Sequence, residues 1–323
     1  MAGRQLKELF RAYREGDELA FRRAAQEIIE EEEAKQHLAL ARDLRKIIAG
    51  PSTVQVGETL QLPPPPTDRE GEWPLAEVRI PSKYLSDLVL HEAAREALEG
   101  LSSEVPRWEA LDRHGIPRRQ RVLFYGPPGT GKTSAAEGLA AEIGLPLLVV
   151  RLDAVVSSYL GETASNLRRV FDYVQSGSWL VLFDEFDALG KVRDDPGEHG
   201  ELRRVINAFL QMLDSFRGPS LLVAATNHEH LLDFALWRRF DEVLEFPLPT
   251  VHALRKLLRL RLPAAARGGV DIESCASALR GLPHAAVERV VWDARREAVL
   301  GGRDQVSQPE LERAISRVRA RPW

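Results

Sequence analysis

Cysteine is almost absent from this sequence, because Cys275 is the single one in 323 residues. A disulfide framework within the chain is therefore excluded, and a reducing compartment is expected. Long apolar runs are missing too. The most apolar stretch, 145–150, is far shorter than the roughly 20 residues that span a bilayer. Met1–Phe10 is charged and is not typical of a signal peptide. These absences predict a cytoplasmic protein with no membrane anchor.

An excess of positive charge is lacking as well. The formal net charge is -4, so no global attraction to nucleic acid is expected. Hydrophobic residues make up 44% and charged residues 28% of the chain, which is typical of a folded globular protein. The length of 323 residues is enough for two or three packed units.

The N-terminal part is predicted to be helical. Apolar residues recur at helical spacing over 4–49, with a break at Gly16, which indicates a helical hairpin over 1–50. This hairpin is a candidate docking element for a substrate or partner. The four prolines of 63–66 favour a stiff extended spacer, and residues 51–75 are predicted to be a linker.

From about residue 76 short apolar segments alternate with helical patterns. Strands are predicted at Arg121–Tyr125, Leu147–Leu152, Leu180–Phe183, Leu221–Ala225 and Glu242–Phe246. Helices are predicted at Lys132–Ile143, Thr163–Gln175 and Leu202–Phe216. The alternation indicates a parallel sheet covered on both faces over 76–248. Helices dominate 249–323, where Thr250 is a candidate N-cap and Ser307 with Glu310 has capping-box spacing.

A glycine-rich segment lies between a predicted strand and a predicted helix. It reads Gly126, Pro127, Pro128, Gly129, Thr130, Gly131, Lys132 and Thr133. This order matches the phosphate-binding loop G-x-x-x-x-G-K-[ST], whose backbone N–H groups surround phosphate oxygens. Lys132 would contact the outer phosphates, and Thr133 would offer its hydroxyl to Mg²⁺. The segment predicts a protein that binds and hydrolyses ATP.

Two carboxylates follow the predicted strand Leu180–Phe183. Asp184 and Glu185 would lie at the carboxyl edge of the parallel sheet, where ligands bind in such folds. Phosphoryl transfer needs a positioned metal and a positioned water. We therefore expect Asp184 to hold Mg²⁺ with Thr133, and Glu185 to polarise the attacking water. The nearby Asp187 is expected to be a helix or turn residue.

With these motifs the sequence resembles the AAA+ ATPases, and within them the classical AAA clade, over residues 80–323. The two motifs look like that clade's Walker A and Walker B, and Asn227 after the next strand looks like its sensor 1 residue. The resemblance implies an α/β fold, a P-loop parallel sheet sandwiched by helices, followed by a small helical lid domain. It also places Leu88 and Val89 beside the adenine, although the clade's glycines are missing there.

Arg238 and Arg239 resemble the arginines of the clade's second region of homology, although the two are adjacent here rather than separated by Pro-Gly. The resemblance implies that one of them, with Arg239 the better match, is an arginine finger for a neighbour's ATP. It therefore also implies a homo-oligomeric ring, a hexamer in this family. An arginine at the lid's sensor 2 position is absent, as in the classical clade.

Tyr159, Leu160 and Gly161 resemble the pore loop of translocating rings. The resemblance implies an ATP-driven protein unfoldase or remodeler that engages polypeptide, alone or with a separately encoded protease or adaptor. An alternative is a nucleotide-gated assembly or signalling switch that threads nothing. A nucleic-acid motor is a third interpretation, against which the acidic balance and the aromatic loop argue.

Overall fold

The computed structural model describes residues 63–68, 73–157, 162–189, 199–228 and 234–322, together with Ala24 and Ile28. Backbone contacts divide the chain into Met1–Pro63 and Pro64–Trp323. The hairpin predicted over 1–50 lies outside the described residues, apart from Ala24 and Ile28, which are both helical. The elements below belong to the second unit.

A six-stranded sheet forms the centre of this unit. Its strands are β1 (Ala76–Arg79), β2 (Arg121–Tyr125), β3 (Leu147–Val150), β4 (Leu180–Phe183), β5 (Leu221–Thr226) and β6 (Glu242–Glu245). The order across the sheet is β1-β3-β4-β5-β2-β6. Strands β2 to β6 are parallel, and only β1 at the edge runs antiparallel to its neighbour β3. The predicted α/β fold with a mainly parallel sheet is confirmed.

Helices cover both faces of the sheet. They are α1 (Glu92–Glu104), α2 (Trp108–Arg113), α3 (Lys132–Ile143), α4 (Leu152–Ser157), α5 (Thr163–Gln175), α6 (His199–Ser215) and α7 (Phe234–Trp237). On β4, Leu182 belongs to the core shared with α1 and α3, whereas Phe183 packs on Phe171 of α5 and Phe209 of α6. Successive residues of a strand point to opposite faces, so both faces of β4 are buried under helices.

The C-terminal part has a second hydrophobic core, which also includes Val89. It consists of α8 (Val251–Arg261), α9 (Ile272–Ala278), α10 (His284–Leu300) and α11 (Gln308–Arg319), with a short parallel pair, β7 (Arg267–Gly268) and β8 (Val306–Ser307). We call these elements the lid. Thr250 accepts a hydrogen bond from Ala253 N at 3.2 Å, which confirms the predicted cap. The predicted capping box of Ser307 and Glu310 is also present.

Some boundaries differ from the sequence prediction. The strand predicted to reach Leu152 ends at Val150, because Arg151 N donates to Leu75 O and the first turn of α4 begins there. The helix predicted at Leu202–Phe216 is α6, which begins earlier, at His199, and ends at Ser215. Strand β5 extends one residue further than predicted and β6 ends one residue earlier.

Ordered contacts begin before residue 76. Leu75 is fully buried, and its N–H donates to Pro66 O at 2.8 Å. Arg169 of α5 donates to the carbonyl of Asp68 at 2.9 Å. The end of the segment 51–75 is therefore attached to the sheet and to α5. None of the helices in the described ranges combines the length and apolar character that crossing a membrane needs.

Candidate active site

The glycine-rich loop lies between β2 and α3, as its motif predicts. Gly126 has φ +136°, and a Cβ on it would lie 2.4 Å from the carbonyl oxygen of Phe246. A Cβ on Gly129 would lie 3.0 Å from Cβ of Ala285. Any other residue would be strained at both positions. The two glycines therefore allow close packing of the loop, on the chain after β6 and on the start of α10.

The ammonium group of Lys132 lies inside this loop. Its Nζ donates to Gly126 O at 2.7 Å and to Pro127 O at 2.9 Å, and the residue is buried. Thr130 Oγ1 also donates to Pro127 O, at 2.8 Å. The loop precedes the N-terminus of α3, where helix N–H groups favour anions. A buried cation and a helix N-terminus together make this loop suited to phosphate.

The carboxylates after β4 meet the loop. Thr133 Oγ1 donates to Asp184 Oδ2 at 2.7 Å, and Glu185 N donates to Asp184 Oδ1 at 2.9 Å. A hydroxyl beside a carboxylate is an oxygen donor set of the kind that Mg²⁺ prefers, so Thr133 and Asp184 fit a magnesium ion. Glu185 has φ +50°, the only positive φ among the described non-glycine residues. Such backbone strain concentrates at active sites.

Asp187 orients the end of β5. It is buried, and its Oδ1 accepts from Thr226 Oγ1 and from Asn227 N, both at 3.3 Å. Asp187 belongs to a short 3-10 helix, Phe186–Leu189, as expected for a helix or turn residue. The sequence did not reveal that this carboxylate holds the backbone of Asn227 in place.

A cavity of about 360 Å³ brings these groups together. Its wall is formed by Leu88–Leu90, Pro128–Ser134, Asp184, Glu185, Asn227, Leu257, Arg261, His284, Ala285 and Glu288. It therefore unites the phosphate loop, the acidic pair, Asn227 and the two residues expected beside the base, Leu88 and Val89. Arg238 and Arg239 do not line it. Tyr159, Leu160 and Gly161 lie outside the described residues.

The lid contributes residues that the sequence did not reveal. Ala285 N donates to Gly129 O at 3.0 Å, which joins the start of α10 to the phosphate loop. Burial lowers the pKa of the neighbouring His284, against the opposing effects of the Val89 backbone and Glu288. Arg261 donates through Nε to Glu288 Oε1 at 3.0 Å. Leu257 and Arg261 are four positions apart, so the sequence does indicate that they share one face of α8.

The adjacent arginines have different surroundings. Arg239 forms an ion pair with Asp214 at the end of α6, and Arg121 lies 3.8 Å from the same carboxylate. Arg121 also pairs with Asp241 at 2.7 Å. Arg238 is exposed to solvent. The guanidinium of Arg239 is therefore held by its own chain, within an alternating network of two arginines and two aspartates.

The sequence is similar to those of known proteins. Residues 122–248 match the family described as the ATPase family associated with various cellular activities (AAA). The chain is 41% identical over 317 residues to the uncharacterized AAA family ATPase y4kL of Sinorhizobium fredii, covering 97% of this chain and 94% of that protein.

Longer relatives match over a part of their length. A proteasome-activating nucleotidase of Sulfurisphaera tokodaii is 31% identical over 253 residues, and the ATP-dependent zinc metalloprotease FtsH 3 of Sphaerobacter thermophilus is 34% identical over 253 residues. Both matches cover 76% of this chain, but 64% of the nucleotidase and 51% of the metalloprotease. The chain thus spans about half to two thirds of these two relatives.

Proposed function

This chain belongs to the AAA family of ATPases, in its classical clade, and hydrolyses ATP; from that premise we propose that it assembles into a ring that remodels or unfolds polypeptides.

In the proposed chemistry the phosphate loop and Lys132 bind the phosphates and compensate their charge. Thr133 and Asp184 would hold a magnesium ion, which, when bound, neutralises charge on the phosphate oxygens. Glu185 accepts a proton from the attacking water, and the Asn227 amide orients that water. The hydrogen bond of Asn227 N to Asp187 supports this role, because it keeps the end of β5 beside the acidic pair.

The proposed ring rests on one observation, which concerns the positively charged side chains of the cavity wall. Among the described residues of the cavity wall, Lys132 and Arg261 are the Lys and Arg side chains, and Arg261 is paired with Glu288. Phosphoryl transfer is commonly accelerated by an arginine that stabilises the transition state, by roughly 10³–10⁵-fold. We propose that Arg238 or Arg239 of a neighbouring copy supplies it, within a hexamer. Hydrolysis would then depend on assembly.

We further propose that the ring uses Tyr159, Leu160 and Gly161 to engage polypeptide. In the sequence this segment falls between α4 and α5, in the connection from β3 to β4. An aromatic side chain beside a glycine contacts many side chains without sequence specificity. The similarity to a protein named for activating the proteasome supports a polypeptide substrate, and a separately encoded protease or adaptor as partner.

The test is a Tyr159→Ala variant. The matched control is Tyr159→Phe, which keeps the aromatic side chain. The probe is a green fluorescent protein with an unstructured tail, and loss of its fluorescence reports unfolding. We expect Tyr159→Ala to hydrolyse ATP normally and to lose unfolding, whereas Tyr159→Phe retains both. Equal unfolding by the wild type and Tyr159→Ala would instead favour a nucleotide-gated switch that threads nothing.

A further inference from the structure

An ion pair of the lid lies in the wall of the nucleotide cavity. Arg261 of α8 contacts Glu288 of α10 through Nε at 3.0 Å and through Nη2 at 2.8 Å, and both contacts are to the same oxygen, Oε1. Both residues line the cavity. In the part of the chain that the structure describes, no hydrogen bond engages the second carboxylate oxygen, Oε2. That oxygen is an acceptor available to a ligand.

The position of the pair relative to the phosphate loop follows from helix geometry. Ala285 N is hydrogen-bonded to Gly129 O, so the start of α10 adjoins the phosphates. Glu288 is three residues further along the same helix, on the same face, about 5 Å away along the axis. In a nucleoside triphosphate the group after the phosphates is the ribose. Leu88 and Leu257 provide an apolar surface for the base beyond it.

The charge of the pair fits a neutral hydroxyl group rather than a phosphate. A lone carboxylate near a triphosphate would repel it, and Arg261 compensates that charge at 2.8 Å. A hydroxyl donor has no such conflict, and a carboxylate that accepts from a ribose hydroxyl is a recurring device in nucleotide sites. Hydrogen bonds to charged acceptors are also stronger than those between neutral groups.

We propose that Glu288, which Arg261 holds in place and whose charge Arg261 compensates, accepts a hydrogen bond from the ribose hydroxyls. This bond makes the site selective for ribonucleotides. Glu288 is then a specificity-determining residue, and Arg261 is its positioning residue. The inference rests on the nucleotide site proposed above, but not on ring assembly or on the engagement of polypeptide.

The experiment measures equilibrium binding by calorimetry, so it needs no hydrolysis. The probes are ADP, 2′,3′-dideoxyADP and IDP, each titrated into the full chain. We expect the wild type to bind ADP about tenfold more tightly than 2′,3′-dideoxyADP, the size of one charge-assisted hydrogen bond. Glu288→Ala should bind ADP and 2′,3′-dideoxyADP with equal affinity.

The matched control is Glu273→Gln. Glu273 pairs with Arg255, which lies on α8 as Arg261 does, but Glu273 does not line the cavity. This control should keep the tenfold preference. Arg261→Met retains an apolar stem. This variant should bind both ADP and 2′,3′-dideoxyADP more weakly, because Glu288 is then uncompensated, and its preference for ADP should shrink, because Glu288 is no longer held in place.

A wild type that binds ADP and 2′,3′-dideoxyADP equally would overturn the inference. So would a Glu288→Ala variant that keeps the preference for ADP over 2′,3′-dideoxyADP but loses the preference for ADP over IDP. A wild type that binds none of the three probes would contradict the nucleotide site itself. The two failures are therefore distinguishable.

Discussion

Thr133 and Asp184 are joined by a hydrogen bond of 2.7 Å from Thr133 Oγ1 to Asp184 Oδ2. The hydroxyl belongs to the first turn of α3, and the carboxylate follows β4, 51 positions later in the chain. The bond holds the phosphate loop and the acidic pair at one edge of the sheet. Every prediction about hydrolysis depends on this arrangement.

Removal of the Thr133 hydroxyl should weaken the response to magnesium. In Thr133→Ala we expect the Mg²⁺ concentration for half-maximal hydrolysis to rise roughly 10–100-fold, the range for groups that support a metal site. Thr133→Ser keeps the hydroxyl and should respond to Mg²⁺ as the wild type does. A magnesium titration of steady-state hydrolysis measures both. Equal titration curves for Thr133→Ala and the wild type would remove Thr133 from the metal site.

Glu185→Gln should bind ATP but hydrolyse it slowly. An amide cannot take the proton of the attacking water, and loss of a general base costs roughly 10²–10⁴-fold in rate. Single-turnover hydrolysis and equilibrium ATP binding separate the two effects. The control is Glu96→Gln, an exposed glutamate on α1, which should behave as the wild type. Normal turnover in Glu185→Gln would exclude Glu185 as the base.

One of the adjacent arginines should be needed for hydrolysis but not for ATP affinity. We expect the alanine variant of the finger, Arg239→Ala or Arg238→Ala, to slow turnover by roughly 10³-fold or more. Mixing it with Glu185→Gln subunits should restore activity if the arginine acts on a neighbour's ATP. Turnover of mixed and unmixed samples is the measurement.

A variant of Asp214 distinguishes two explanations for a loss of activity in Arg239→Ala: loss of the arginine finger, or loss of an ion pair within the chain. Asp214→Asn releases Arg239 from its ion pair while keeping the guanidinium. If Arg239 is the finger, Asp214→Asn should retain much more activity than Arg239→Ala. Equal losses in both variants would indicate that Arg239 acts through the structure of its own chain. Unchanged turnover in both single arginine variants would refute the finger assignment altogether.

Gly126→Ala should disrupt the phosphate loop, because its Cβ would lie 2.4 Å from the Phe246 carbonyl oxygen. We expect a loss of about 1–3 kcal/mol in the free energy of unfolding and a large loss of ADP affinity. Gly115→Ala is the control, since Gly115 also has positive φ but nothing lies within 4 Å of its Cβ. That variant should lose about 1–2 kcal/mol and bind ADP normally. Denaturant unfolding and ADP titration test both.

The lid should lose stability in acid through Glu310. Hydrogen bonds from the Ser307 backbone and side chain, with the charge of Arg303, lower the pKa of this buried carboxyl from its ordinary value of 4.5. A lowered pKa adds stability above 4.5, which is lost as the pH falls toward the folded-state value. Glu310→Gln should therefore flatten the fall of unfolding free energy below pH 4.5. Exposed Glu312→Gln is the control, and equal slopes in all three proteins would contradict the prediction.

Local patterns predicted a large part of the fold. The bounds of β2, β4, α3 and α5 agree with the sequence prediction residue by residue. Apolar runs, helical periodicity and the glycine motif are all read within a few neighbouring positions. Strand β1 was not predicted. Only four residues form it, and exposed Glu77 and Arg79 alternate with its apolar residues at the sheet edge.

The sequence by itself determined the family, the parallel sheet, the phosphate loop and the identity of the acidic pair, since each is encoded in a contiguous segment. Only the tertiary structure decided which lid residues reach the cavity, because Arg261 and Glu288 lie 27 positions apart on two helices. Their side chains meet where α8 and α10 pack in one core and Ala285 joins that core to Gly129. Such contacts depend on how helices pack against each other, which no single segment of the chain specifies.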